Sequence, residues 1–489
     1  MIDSKQFIIA NTIFKKEDWI YMTLSCGKIL SYHKELNICH NADNSVILLG
    51  HAWSVLPIEE QLPPTSFVEN MNRTLTEEEI IKEEKTWCGR YVLIANDNIY
   101  LDTIGSLGIY YHQDAISSSL HILCNFINTP PIFPNLRQGD QPPFFPGMQT
   151  GYKGIFRLMP SQVLDITSTT YHIRPLLPDG FIKTTNTEQQ IEHFVKHYSC
   201  SLRNMYAHFN KKPLKLALTG GRDSRTALAL LEYTKIPYDV FSLQHPHISD
   251  GDIFLPVKLS KIVGKKLNYI KRKNHRDLTL YDDFHTHCSG FAFDEDWDFY
   301  SCKQYQELLK QDKDIVVLRS GVWSIQSSVY MYSYEGRYDL LEIFPSLKYK
   351  KDHLNSAEEW VKYAKNDTIN KEINIWDRTY WEFDNTCWLA PIEQSLDIID
   401  HITFIQPANC RRFISIMYGF DEKYRKNKIL EELITAHICP QFKDIPYDYQ
   451  GGYIPKYVTI LRKLKYNEEV FRGKIRDYVY GHIMKNGKK

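Results

Sequence analysis

The apolar positions of this 489-residue chain change period partway along it. Up to about residue 180 they bunch or alternate over strand-like lengths, in SVILLGHAW, RYVLIANDNIYLD, LGIYYHQD, HILCNF and SQVLDI, with polar turns between. The stretch TLTEEEIIKEEKTW breaks that rhythm and predicts one charged helix. Proline-rich runs at 130–146 and 175–179 predict a long loop and then a linker, which places a domain boundary near residue 185. From about 190 a helical period appears in EQQIEHFVKHYSCSLRNMYAHF. Short apolar strands then alternate with helices: Leu214 to Leu218, a helix over 224–233, YDVFSL, IFLPVKLSKIVG, LNYIK, CKQYQELLKQ and DIVVLRSG. That alternation predicts a parallel α/β sheet, whose ligands bind beyond the carboxyl ends of the strands. The remainder from about 370 reads as mostly helical. Two units are therefore expected, β-rich over 1–185 and α/β with a helical end over 186–489.

Lys+Arg and Asp+Glu both total 59, so the formal net charge is zero and nothing electrostatic argues for nucleic acid or an anionic membrane. The basic run KYVTILRKLKY, which begins at Lys456, reads as a solvated helix face. The ten cysteines form no CxxC pair, and the start MIDSKQFIIANTIFKKEDW has only short apolar stretches, too short for a secretory or spanning segment. No later apolar run reaches membrane length. These features lead us to expect a cytoplasmic protein with reduced thiols and no membrane or nucleic-acid partner; the oligomeric state is not legible. HPH at 245–247 and HTH at 285–287 lack the spacing of a helical zinc pair and a third ligand, so they read as loop histidines. No Gly-x-Ser-x-Gly elbow is present.

The chemistry concentrates in LALTGGRDSRT, residues 216–226, where an apolar strand stops at a hydroxyl residue and two glycines just before a helical pattern. Amides at a helix start lack intrahelical partners and carry partial positive charge, and glycines let a phosphate approach the main chain. Leu218, Thr219, Gly220 and Gly221 form the turn. Thr219 and Ser224 add hydroxyls, Asp223 offers a hard oxygen for Mg²⁺, and Arg225 sits where it reaches either a phosphate or a substrate carboxylate, or else lies exposed on the helix. Ser242, at the end of YDVFSL, and Ser320 and Gly321, after DIVVL, stand at neighbouring strand ends and join the expected nucleotide site. Arg319-Ser320-Gly321 forms its second wall.

The loop is neither a P-loop nor a dinucleotide fingerprint, but it resembles the S-G-G-x-D-S loop of the ATP pyrophosphatases, with Thr219 in place of the first serine. Together with RYVLIANDNIYLDTIGSLGIYYH at 90–112, GYKGIFRLMPSQVLDI at 151–166 and NKILEELITAHICP at 427–440, the chain resembles the asparagine synthetase family along nearly its whole length. The resemblance implies an N-terminal Ntn-hydrolase-like sandwich and a C-terminal adenine-nucleotide α-hydrolase-like parallel sheet. There are three departures. Ile2 stands where the family's glutaminase has a cysteine whose own α-amino group acts as base, so no glutamine hydrolysis is expected. The second phosphate loop, Ser320 to Ile325, has no carboxylate, which leaves the metal mainly to Asp223 and ATP oxygens. Gln406-Pro407-Ala408-Asn409 replaces a segment that ends in aspartate.

The implied reaction is ATP-dependent and AMP-forming. A small-molecule or peptide carboxylate attacks the α-phosphate of ATP with Mg²⁺ bound, and ammonia or a substrate amine then displaces AMP, as in the relatives that close β-lactams or lasso-peptide macrolactams. For the amine step the resemblance offers Tyr330 or Tyr332 with Glu382, the glutamate having a structural alternative. For the adenylate stage it offers Lys443 or Lys456. A non-catalytic nucleotide-binding or regulatory protein is the alternative, motivated by the missing carboxylate. A tRNA-modifying or sulfur-inserting enzyme fits poorly, lacking a basic surface or thiol pair.

Overall fold

The computed structural model describes residues 3–130, 145–245, 248–272, 284, 295–322, 340–343, 347, 351–427, 429–450, 460 and 464. Two antiparallel six-stranded sheets make up the first part. One runs in the order Phe156–Arg157, Tyr110–His112, Ala115–Ser117, Phe7–Ala10, Ile29–His33, Trp19–Thr23. The other runs Tyr171–Ile173, Gln162–Asp165, Asn98–Leu101, Trp87–Ala95, Val46–Ser54, Ile38–His40. Ile9 and Leu30 from the first and Ile47, Leu49, Val92 and Ile94 from the second are buried in one cluster, so the sheets are stacked face to face. The charged stretch forms the helix Glu77–Glu84, started by a capping box in which Thr76 and Glu79 satisfy each other's backbone N–H groups.

The second part is built on a five-stranded, wholly parallel sheet in the order Leu267–Lys271, Asp239–Gln244, Leu214–Ala217, Ile315–Leu318, Ile402–Ile405. Both faces are covered, which is why these strands read as apolar runs without alternation. Leu214, Leu216, Val316 and Leu318 pack against the helices Thr187–His208, Arg222–Thr234 and Arg411–Tyr418. On the other face Ile315, Val317 and Phe404 share a cluster with Ile8, Tyr110 and Leu120 of the first part. The long helix Thr187–His208 is capped by the Asn186 side chain, which accepts the Gln189 N–H at 2.9 Å. Its Ile191, Phe194, Val195, Tyr198, Leu202 and Met205 recur at helical spacing, and all are buried.

One strand departs from the sequence expectation. Ile402–Ile405, inside the stretch expected to be mostly helical, is the fifth strand and lies parallel to Ile315–Leu318. A four-residue apolar run carries no period that separates strand from buried helix; only its neighbour settles it.

The chain enters the sheet at the central strand Leu214–Ala217, adds two strands on one side, and then crosses to add two on the other. Connections leaving neighbouring strands in opposite directions open a crevice at the carboxyl ends.

Candidate functional site

That crevice is a cavity of about 600 Å³. Leu218, Thr219, Asp223, Ser224, Ser242, Ser320 and Gly321 all line it, together with Arg319. Its remaining wall is partly apolar and includes Phe241, Leu243, Tyr305, Trp388, Leu389 and Ile392. A polar mouth beside an apolar wall suits a ligand with a charged end and a flat or apolar end.

The loop is held from three sides. The Thr219 N–H donates to Ser224 Oγ at 3.0 Å, and the two hydroxyls lie 2.9 Å apart. The Gly220 N–H donates to Asp252 Oδ1 at 2.8 Å. The Ser242 hydroxyl donates to the Leu218 carbonyl, so it shapes the strand end. Gly221 is the N-cap of Arg222–Thr234, with no side chain capping the helix. The amides of its first turn therefore lack acceptors within the helix, and Asp223 and Ser224 of that turn line the cavity. Neither glycine needs a left-handed backbone. A Cβ on Gly220 would meet the Gly251 backbone at 2.8 Å, whereas one on Gly221 would meet only Thr219 Oγ1 at 3.6 Å.

Arg225 is placed differently from both of its sequence readings. It is fully buried and points away from the cleft, donating from Nη1 to the Ile445 carbonyl and from Nη2 to the Pro446 carbonyl, each at 2.7 Å. Its guanidinium stacks 3.7 Å from the Tyr447 ring centroid. Burial lowers its pKa, and the Tyr447 contact opposes that shift. Arg225 thus clamps segment 445–447 over the helix start.

The structure does not bring Glu382 to the cleft. It is fully buried in a π-helical stretch, Tyr380–Leu389, where it accepts from Ser161 Oγ, from Trp360 Nε1 at 2.8 Å and from Arg378 Nε at 3.1 Å. Arg378 in turn pairs with Asp367 at 2.7 Å. Every one of these partners is structural. Lys443 is exposed after the short turn Pro440–Phe442 and is not among the residues lining the cavity. Tyr330, Tyr332, Lys456, residues 323–325 and most of both histidine pairs lie outside the described residues.

Sequence reasoning missed Asp252, Trp388, Glu393 and Gln406. For Asp252 a signal existed: Ser249-Asp250-Gly251-Asp252 before an apolar run is a helix-start pattern, and Ser249 does cap Asp250–Ile262. Glu393 comes from far along the chain and carries no local signal, and Gln406 is marked only as part of a segment that departs from the family pattern. The Gln406 side chain donates to Glu393 Oε1 at 2.9 Å and accepts the Gly321 N–H at 2.8 Å. Asn409, in the same departing segment, donates to the Gly89 carbonyl at 2.6 Å and to Asp102 Oδ1 at 3.0 Å, a purely structural role between the two parts.

No protein-family model matches the chain, and neither does any curated protein. Solved structures that it is similar to include an NMN synthetase from Francisella tularensis, at 14% identity over 50% of this chain and 97% of that one, with a TM-score of 0.21. A tRNA thiolase from Methanococcus maripaludis is 15% identical over 54% of this chain and 84% of that one, with a TM-score of 0.21. An NAD+ synthetase from Burkholderia pseudomallei is 11% identical over 52% of this chain and 90% of that one, with a TM-score of 0.20.

Proposed function

We propose that the crevice binds ATP and that the protein is an AMP-forming amide ligase, in which a substrate carboxylate displaces pyrophosphate from the α-phosphorus and an amine then displaces AMP. The observation that carries this reading is the 219–224 loop: it leaves the central parallel strand, opens a helix with an uncapped first turn, and faces the cavity. The amides of the first turn, which lack acceptors within the helix, and the linked hydroxyls of Thr219 and Ser224 are fixed before substrate arrives. Donors set in place in this way stabilise the charge that develops on departing pyrophosphate without reorganising.

Asp223 and Asp252 both present hard carboxylate oxygens to the cavity, a donor set that fits Mg²⁺, which keeps most of its waters and needs few protein ligands. Bound there, the ion would neutralise phosphate charge. Among the described residues no group of three or more His, Cys, Asp or Glu is arranged to hold a metal by protein ligands alone.

We read residues 1–185 as a glutaminase-like unit without thiol chemistry. Burial raises the pKa of Cys26 and Cys88, and takes Cys39 and Cys124 to about 12. A thiol held protonated is a poor nucleophile. The amine would then be ammonia or part of the substrate.

A second reading, a nucleotide-binding protein without turnover, is favoured by the placement of Glu382 and Lys443 outside the cavity. Pyrophosphate release from ATP and Mg²⁺, measured across amino acids, diacids and peptides for wild type and Asp223→Ala, separates the two. The ligase reading expects one compound to drive release and the substitution to cut it by about 100-fold, the size of a lost charge-stabilising group. ATP binding with no release from any compound favours the second reading.

A further inference from the structure

Arg319 is the only lysine or arginine among the described residues that line the cavity. Asp223 and Asp252 line it too, so a polyphosphate entering there meets two carboxylates and one fixed cation. That cation is held with unusual care. Arg319 Nη1 lies 2.9 Å from Glu393 Oε1, and Glu393 is only 1% exposed. Gln406 binds the same carboxylate and also fixes the Gly321 N–H, so one buried acid and one amide set both the guanidinium and the backbone that follows it. The second oxygen of Glu393, Oε2, is buried without a hydrogen-bond partner, and so is Ser320 Oγ at the cavity wall.

The position of Arg319 follows from strand register. Leu216 lies opposite Leu318, so the chain after Ile315–Leu318 emerges beside the chain that leaves Leu214–Ala217 to form the 219–224 loop. The two loops form facing walls of one crevice. No carboxylate follows Gly321 over 322–325 that could hold a metal at this wall.

We infer that Arg319 binds the diphosphate portion of the nucleotide from the wall opposite the 219–224 loop, with Ser320 Oγ beside it and with Glu393 and Gln406 as positioning residues. A guanidinium has several donors in a planar fork that matches phosphoryl oxygens, and its charge does not depend on pH. At this wall a side chain supplies the positive charge. The inference rests on the nucleotide reading above and adds the group that recognises the phosphates.

The test is calorimetric titration of the full-length protein with inorganic pyrophosphate, ATP and adenosine. Arg319→Gln is expected to weaken pyrophosphate and ATP at least tenfold and leave adenosine unchanged, with Arg319→Lys intermediate. Glu393→Gln, which keeps the guanidinium but loosens its hold, should show the same split to a smaller degree. Because Arg319→Gln alone leaves Glu393 buried without its cation, the double variant Arg319→Gln/Glu393→Gln serves as the folded control and should also lose pyrophosphate. Wild-type affinity for pyrophosphate in the double variant overturns the inference, as does an equal loss of adenosine binding. If the wild type binds neither ATP nor pyrophosphate, the nucleotide reading itself falls, and this inference with it.

Discussion

Gly220 and Gly221 are neighbours of the same type, yet their surroundings demand different things. A Cβ at 220 collides with the Gly251 backbone at 2.8 Å, and backbone cannot swing aside. Gly220→Ala should therefore cost about 1–3 kcal/mol of stability, as overpacking does. Gly221→Ala meets only a hydroxyl at 3.6 Å and should fold within about 1 kcal/mol of wild type, since alanine is a mildly poor N-cap. Its methyl group would nonetheless stand where a phosphate must approach, so ATP affinity should fall about tenfold. Melting temperature and ATP titration on the two variants check both halves, and equal ATP affinity in wild type and Gly221→Ala would remove the close-approach argument. Arg225 is a structural residue by the same kind of reasoning. Arg225→Ala strips two partly buried carbonyls of their donors and should lower stability by about 2–4 kcal/mol in urea unfolding.

At the scale of elements, the site depends on one helix holding the start of another. Ser249 caps Asp250–Ile262, and Asp252, in the first turn of that helix, accepts the Gly220 N–H. Asp252→Ala should loosen the loop, lower stability by about 1–2 kcal/mol through the lost charged hydrogen bond, and weaken ATP binding several-fold. Thermal melts and calorimetry report the two effects separately, and an unaltered ATP affinity would show that the loop keeps its shape without this anchor. The π-helical stretch Tyr380–Leu389 is the other element that shapes the cavity. Its wider turn directs Glu382 inward to Arg378 while Trp388, 39% exposed, and Leu389 reach the apolar wall.

For the whole molecule, the two parts are joined by buried charge as well as apolar packing. Arg90 makes two bonds of 2.6 Å to Asp397, whose side chain is 1% exposed, across 307 residues of chain. Asp397→Ala leaves that guanidinium buried and unpaired, which should cost about 3–5 kcal/mol. A urea midpoint close to wild type would show the joint to be looser than the geometry implies. Histidines at the same joint set a pH dependence. His51 Nδ1 on Val46–Ser54 meets His208 Nε2, at the end of Thr187–His208, at 3.1 Å. Burial lowers the pKa of both, His208 to about 4, and it also takes His197 of the same helix to about 4. A folded-state value below the ordinary 6.5 means that the unfolded chain takes up these protons more readily. The stabilisation is therefore complete above about pH 6.5 and is lost as pH falls from there toward 4. Urea midpoints at pH 7.5 and 5 should differ, and His208→Asn should reduce the difference.

The sequence by itself determined what depends on neighbours along the chain. Thr76 and Glu79 mark a helix start three residues apart, the apolar stripe of Thr187–His208 repeats at helical spacing, and TGGRDS lies at the junction of a strand and a helix. Each is fixed by backbone geometry over a few residues, and so was legible. Tertiary structure decided what depends on distant partners. It made Ile402–Ile405 a strand by pairing it with Ile315–Leu318, and it turned Glu382 inward to Arg378, Trp360 and Ser161. It sent Arg225 to the carbonyls of 445 and 446, and it set Glu393 and Gln406 behind Arg319. The physical reason is that the burial and pairing of a charged side chain depend on which surfaces meet when the sheets and helices pack, and local sequence does not specify those contacts.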